Sequence, residues 1–508
     1  MKKTRTEFSL LNIKYAIIGQ FIGLGISFVT RFVFVRFLDI QYLGVDGLFV
    51  NVLSILSLLD LGLGTAVIYS LYEPLANDNT KKICLLINLY KKYFRFIALA
   101  IFFIGLIITP FINHLIKEVH NIPYLKIIFL LFVIDTIIGY FFAHKRLLII
   151  ADQKRYITSI YRYSFFFLLN IFQIILLIIF KNYLIYLFVK ILFNILENLF
   201  ISRKANKLYP YIHTIVNDKI DLEEKNNIIK NIKALSMHKL GGVVVKGTDN
   251  ILISKLIGVK MVGIYSNYNI IINSLNLVFS IFFNNITASI GNLVVTSSNN
   301  LKNNFDSLNF LNYLIYTIST IAIFSSINIF VTIWIGDKFL LNNSTILIIS
   351  LNFYLDGMRK SVLTYREALG LFWYDRHKPI VESFVNLIFS LFLGLKYGIN
   401  GILIGTTISL VFVCLTVEPY ILFKYGLKQS VLEYYVNYAK NFLIFLISGF
   451  IVHFISKYTT LNIYFKLFFN MIYSLLIPTI IIYIFYYKST NLKLLLTKLK
   501  QIKHIIFK

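Results

Sequence analysis

The chain has 508 residues, 58% of them hydrophobic and only 14% charged, with a formal net charge of +27. That balance lies far outside the range of soluble domains and excludes a water-soluble enzyme or binding module. The positive excess alone would suggest a nucleic-acid partner, but its distribution along the chain marks membrane topology, so no nucleic acid is expected.

Apolar runs long enough to cross a hydrocarbon core recur along the whole chain, and about fourteen spans are predicted, at roughly 20 residues per crossing. In chain order they cover 12–36, 45–71, 94–115, 124–148, 158–180, 183–202, 235–257, 262–290, 309–335, 344–365, 379–397, 399–423, 438–456 and 463–487. The basic N-terminus, MKKTRTEFSLLNIKY, runs into a full-length helix with no small-residue cleavage site, and is expected to be retained. With that end in the cytoplasm, the inward connections hold Lys81, Lys82, Lys91, Lys92, Lys145, Arg146, Lys154, Arg155, Arg203, Lys204 and Lys207. Outward connections carry mostly one basic residue each, such as Lys181, Lys260, Lys338, Lys396 and Lys457. The positive-inside rule then sets the orientation, and an even span count returns the C-terminus to the cytoplasm. The tail, with Lys488, Lys493, Lys498, Lys500, Lys503 and Lys508, is suited to lie on anionic lipid.

A faint internal repeat organises these spans. Arg36-Phe-Leu-Asp-Ile-Gln-Tyr-Leu-Gly-Val45 aligns with Lys255-Leu-Ile-Gly-Val-Lys-Met-Val-Gly-Ile264, an offset that also carries Gly44 onto Gly263. The expected fold class is therefore an all-α integral membrane protein with two pseudo-symmetric six-helix lobes and two further helices. The boundaries read as an N-terminal lobe at 1–205, a cytoplasmic linker at 206–234, a C-terminal lobe at 235–425, two extra spans at 426–487 and a basic tail at 488–508.

Signatures of chemistry are sparse. There is no Gly-Lys dipeptide, hence no P-loop, and neither His-Glu-x-x-His nor Gly-x-Ser-x-Gly occurs. Cys84 and Cys414 lie far apart with no ligand spacing, so no metal site or disulfide is indicated. No catalysis and no cofactor are expected, and work would come from ion or voltage gradients or from substrate supply.

Ionisable groups at membrane depth are functional hypotheses by default, because each is costly unless paired or facing water. In the seventh span Lys239, Lys246 and Asp249 share one helical stripe, with Lys246 and Asp249 near mid-span. Lys246 reads as a substrate-facing cation, with an ion pair to Asp249 three residues on as the structural alternative. In the eighth span Asn269, Asn273, Asn276, Ser280, Asn284 and Thr287 recur at spacings of four and three, a polar face suited to sugar hydroxyls or to helix packing. The repeat offset places Asn273 and Asn276 over Ser54 and Ser57 of the second span. Arg31 is a further candidate cation, though its long stem can reach the outer interface. Asp60 and Asp135 are placed to carry a proton or sodium ion, or to pair with a neighbouring helix. Asn352, Asp356 and Arg359 form one face of the tenth span and suggest an internal salt bridge, while Glu382 and Glu418 read as structural. Gly19 with Gly23, and Gly401 with Gly405, read as close helix packing.

Several stretches resemble the Wzx-type polysaccharide repeat-unit flippases of the multidrug, oligosaccharidyl-lipid and polysaccharide exporter superfamily. They are Gly44-Val-Asp-Gly-Leu-Phe-Val-Asn51, Leu58-Leu-Asp-Leu-Gly-Leu-Gly-Thr-Ala-Val-Ile-Tyr-Ser-Leu71, Lys246-Gly-Thr-Asp-Asn250, Leu351-Asn-Phe-Tyr-Leu-Asp-Gly-Met-Arg359, Arg366-Glu-Ala-Leu-Gly-Leu-Phe-Trp-Tyr-Asp375 and Val417-Glu-Pro-Tyr420. The resemblance implies lobes around a central cavity in a bacterial inner membrane. It also implies a substrate of undecaprenyl diphosphate carrying a short oligosaccharide, for capsule, exopolysaccharide or O-antigen assembly. Membrane lipids and polysaccharide polymerase machinery would be the partners. Lys246 and Arg31 rest on their own chemistry, since cavity residues vary within that family. The alternatives are a cation-coupled exporter of small drugs, using Asp60 and Asp135, and a membrane polysaccharide polymerase.

Overall fold

The computed structural model of the chain describes residues 5–60, 62–117, 122–213, 247–296, 301–489 and 492. Within a hydrocarbon slab no water can satisfy a peptide group, so a segment crosses as a helix or as part of a closed barrel. Helices are what these segments form, and no strand occurs among the described residues.

Two compact units divide the chain, Met1–Gly263 and Ile264–Lys508. The first holds α1 (Arg5–Phe37), α2 (Ile40–Leu56), α3 (Leu63–Ala76), α4 (Thr80–Ile108), α5 (Leu125–Ala151), α6 (Arg155–Phe180) and α7 (Tyr183–Leu208), then α8 (247–256) and the first turn of α9 (Val259–Thr296). The second holds the rest of α9, α10 (Leu301–Ile335), α11 (Asn343–Met358), α12 (Lys360–Ala368), α13 (Lys378–Tyr397), α14 (Ile399–Ser409), α15 (Leu415–Ile421), α16 (Leu432–Tyr458) and α17 (Ile463–Tyr486).

Ten helices among the described residues are long and apolar enough to cross a membrane. Their most apolar windows are only 17% to 44% buried within the protein, so most of that surface needs lipid as its solvent. The other expected spans differ for identifiable reasons. The seventh is described only from residue 247, and the eighth is part of the 38-residue α9. The second and tenth are each interrupted. The second breaks into α2, a 3₁₀ turn at Ser57–Asp60 and α3, where Gly62 supplies a left-handed φ of 84°. The tenth divides at Arg359 into α11 and the nine-residue α12.

Helix starts follow local chemistry. Asp39 caps α2 by accepting from the Gln41 amide at 2.8 Å, and Asn79, Asn182 and Asn462 do the same for α4, α7 and α17. The turn after α7 is tied back to α5: the Tyr209 hydroxyl donates to Asp152 at 2.6 Å, and Lys154 pairs with the same carboxylate at 2.6 Å. Burial, and then the charge of Asp152, pushes the neighbouring Tyr211 phenol up to about 12, so it is neutral at physiological pH.

The core of the first unit gathers Tyr90, Phe94 and Ile101 of α4 with Leu148 and Ile149 of α5 and Ile201 of α7. In the second unit Tyr354 of α11 stacks on Phe445 of α16 at 4.2 Å, and Phe310, Val452 and Ile482 complete a core shared by α10, α16 and α17. The last two spans are thus packed into the second unit rather than lying beside it.

Small residues set the closest approaches. A Cβ on Gly44 would meet the Val259 carbonyl oxygen at 1.9 Å, and one on Gly263 would meet the Ile40 carbonyl oxygen at 2.5 Å and the Gly44 nitrogen at 3.1 Å. The two glycines aligned by the repeat offset therefore lie against each other, where the start of α9 crosses α2. Gly19 sits under the Tyr163 ring, while Gly401 and Gly405 press on the backbone of α13 at Leu393 and Ser390. Gly405→Leu should lower the stability of the purified protein by about 1 to 3 kcal/mol through overpacking. Gly23→Ala, whose Cβ would find ordinary contacts from 3.6 Å outward, should leave the thermal unfolding midpoint in detergent unchanged.

Candidate functional site

In the first unit the polar groups concentrate on α1, on the broken second span, and along the seam between α5 and α7. Arg31 of α1 is half-buried, and the Asp46 carboxylate of α2 and the Tyr186 and Tyr183 phenols of α7 lie within electrostatic reach of it. Tyr183 also packs on Tyr42 at 4.7 Å, and Phe34 lies 5.3 Å from Tyr186, so these rings form one aromatic cluster. Asp46 was not singled out in the sequence, although it belongs to the Gly44–Asn51 stretch that carries the resemblance.

Asp60 closes the 3₁₀ turn that interrupts the second span. The Ser57 hydroxyl donates to the Ser54 carbonyl at 2.6 Å, and Tyr140 of α5 lies within electrostatic reach of Asp60. A break of this kind leaves peptide groups without their helical partners, a device that membrane proteins tolerate only against protein or a polar cavity.

Asp135 is engaged on α7. Asn194 donates to its carboxylate at 2.7 Å and to its backbone carbonyl at 2.9 Å, and the Lys190 ammonium lies 3.4 Å away. From there a ladder continues: Asn198 donates to Asn194, Arg146 bonds Glu197 at 2.5 Å and Asn198 at 3.2 Å, and Lys145 donates to Ser202 at 2.9 Å. Lys190, Asn194, Asn198 and Ser202 stand one turn apart, so the ladder runs about 18 Å along α7, more than half of a hydrocarbon core. Sequence reading noted Asp135 but missed its partners, which are visible as a four-residue polar period within the sixth span.

Lys246 lies outside the described residues. Asp249 is half-buried on α8. Of the amide stripe on α9, Asn269 and Asn276 are half-buried and Asn273 is exposed, and none of the three bonds another described residue through its side chain. Ser280 and Thr287 bond back to their own helix, at the carbonyls of Leu277 and Phe283, and the side chain of Asn284 is outside the described residues.

The second unit holds a buried ionic network. Arg359, at the joint of α11 and α12, grips Glu418 with two parallel bonds of 2.9 and 2.7 Å and bonds Asp356 at 2.9 Å. Lys378 at the start of α13 pairs with both Glu418 and Glu382 at 2.6 Å. Glu418 is 1% exposed, so its charge is held by protein alone. The segment that carries it is irregular: α15, which contains Pro419, is flanked by π-helical turns at Leu410–Cys414 and Leu422–Leu427. Such wide turns rotate the residues that follow and recur at functional sites. The expected Asp356–Arg359 pair is present, but Asn352, on the same face, bonds α14 through the Leu403 carbonyl and Thr407. Between α10, α11 and α16 an apolar groove of about 520 Å³ is lined by Phe324, Leu347, Phe445 and Phe450, with the hydroxyl-bearing Thr320 and Ser350 among its walls.

The architecture has close counterparts among solved structures. The lipid II flippase MurJ, in an inward closed conformation, matches with a TM-score of 0.64 at 15% identity, covering 95% of this chain and 99% of that one. This is the MurJ and MATE fold. A multidrug resistance MATE family transporter of the MOP superfamily, inward-facing, matches at a TM-score of 0.51 and 12% identity, covering 82% of this chain and 98% of its own. A MATE structure in the bent conformation gives 0.54 at 13%, covering 84% and 99%. No protein-family model and no curated protein matches the sequence.

Glu418→Gln would leave Arg359 and Lys378 without their shared counter-charge, and should cost about 3 to 5 kcal/mol. Asp356→Asn, at a side chain 37% exposed, should cost under about 1 kcal/mol. Thermal unfolding of the two variants in one detergent checks the ranking.

Proposed function

We propose that the chain is a transporter that flips undecaprenyl-diphosphate-linked oligosaccharide repeat units from the cytoplasmic to the outer leaflet of a bacterial inner membrane, by alternating access. The observation that carries this reading is the extent of the structural match. The lipid II flippase aligns with 95% of the chain and the MATE transporter with 82%. The difference, 13% of 508 residues, is about 66 residues, the size of two spans and their connections. A lipid-linked substrate, like that named for the lipid II flippase, also fits the chemistry of the first unit, where Arg31 is a half-buried cation.

In this reading Lys246 and Arg31 hold the diphosphate, Asp249 takes part in substrate binding, and the amides of Asn269, Asn273 and Asn276 bond the sugars. The prenyl chain stays in lipid, and the apolar groove of the second unit offers a surface for it. Asp60 and Asp135 are the candidate coupling groups, the latter with the Lys190 ammonium 3.4 Å away. Moving a diphosphate of charge about −2 outward across an inside-negative membrane is favoured by roughly 4 to 5 kcal/mol per 100 mV, so no nucleotide is required.

The test is reconstitution of the purified protein in liposomes with a lipid-linked oligosaccharide, following access of an impermeant probe to the sugar with and without an imposed potential. Protein-dependent movement without chain growth supports the flippase. Export of cationic drugs with no response to sugar lipids supports the drug exporter, and chain growth supports the polymerase. Arg31→Ala and Lys246→Ala should each slow flipping by about 10- to 100-fold, the loss expected for a charge-assisted hydrogen bond, while the protein stays in the membrane. Single cysteines at Lys154 and Lys338, in a background lacking Cys84 and Cys414, should label from opposite sides, with Lys154 inside. Labelling of both from one side refutes the proposed topology.

A further inference from the structure

A second cluster of cations, remote in character from the sites above, lies on α4 and α5 of the first unit. Lys91 and Arg95 stand one turn apart on α4. The two helices run antiparallel, since Gly105 meets Val133 while Phe94 faces the Tyr140 ring at 6.4 Å. One turn from that aromatic pair toward the same end of both helices brings Lys91 level with His144. His144 is 4% exposed, and the positive charges of Lys145, Lys91 and Arg95 all act on it. Lys145 in turn feels Lys91.

These cations have no acid of their own. Arg146 next door pairs with Glu197, but Lys145 bonds only the neutral Ser202 hydroxyl, and neither Lys91 nor Arg95 makes a side-chain hydrogen bond or ion pair among the described residues. Like charges gathered in this way require a counter-ion from outside. Directly below Arg95 the same helix exposes Phe96, Leu99 and Phe103, a stripe at spacings of three and four that runs toward the membrane interior. A cationic patch set on an apolar stripe is the complement of an anionic amphiphile, and a basic pocket between spans at the membrane interface is the arrangement that holds lipid head groups.

We propose that this face binds an anionic phospholipid, with the head-group phosphate on Lys91, Arg95 and Lys145 and an acyl chain along Phe96, Leu99 and Phe103. Phospholipid is the occupant because the stripe is uncovered by any described element and faces the bilayer, where that is the abundant carrier of phosphate. The site is independent of the transport reading.

The experiment is native mass spectrometry of the full-length protein released from detergent, titrated with phosphatidylglycerol and with zwitterionic phosphatidylcholine. Phosphatidylglycerol should bind in preference, Lys91→Gln with Arg95→Gln should weaken it roughly 10-fold or more, and Lys91→Arg should restore it. Arg95→Gln alone, at an exposed position, should weaken it roughly five-fold and serves where the double variant does not fold. Equal binding of the two lipids, or no change in either variant, overturns the proposal. Displacement by inorganic phosphate, or a variant-sensitive preference for undecaprenyl phosphate over phosphatidylglycerol, also overturns it, in favour of a plain anion site or a substrate-carrier site respectively.

Discussion

Every feature of this molecule follows from placing a peptide chain in a solvent that cannot hydrogen-bond. A backbone group left open in hydrocarbon costs several kcal/mol, which makes continuous helix the default and makes every departure from it informative. Among the departures in the described chain are a 3₁₀ turn with a left-handed glycine in the second span, a joint at Arg359 in the tenth, and two π-helical turns around Glu418. Each coincides with an ionisable side chain. Irregular backbone and charge need the same thing, a polar surrounding supplied by protein, and so they are found together.

The two units satisfy their charges differently. In the second, Arg359 and Lys378 are enclosed with Glu418, Glu382 and Asp356, and the network is closed within the protein. Such an arrangement holds three helical segments in register, because removing Glu418 strands Arg359 and Lys378 in a place water scarcely reaches. In the first unit the ladder between α5 and α7 is longer and more open. Its members keep 17% to 30% of their side-chain surface exposed at Asp135, Glu197, Lys190 and Arg146, and Lys91 and Arg95 of α4 pair with no acid among the described residues. The closed network suits a rigid element, whereas the open one keeps part of each charge accessible.

Close packing of backbones supplies what lipid cannot. Between apolar helices there is no hydrophobic driving force in a bilayer, so association depends on van der Waals contact and on small residues that permit it. Gly44 with Gly263, and Gly401 and Gly405 against α13, provide it here.

Much of this was legible in the sequence, because it depends on local pattern. Composition decides the solvent, runs of about 20 apolar residues decide the crossings, and glycine spacing marks helix contacts. The stripe on α9 and the Asp356–Arg359 pair were readable for the same reason: residues three or four apart share a helix face whatever surrounds them. Partners across helices were not. Arg359 and Glu418 are 59 residues apart, as are Asp135 and Asn194, and no local rule couples them. The break in the second span was also hidden, since Gly62 and Asp60 sit within an apolar run that composition reads as continuous. Sequence alone determined that the chain lives in a membrane, and roughly where it crosses. Only tertiary structure decided which buried charges pair with which, because the energy of a buried charge is set by what lies within a few ångströms in space.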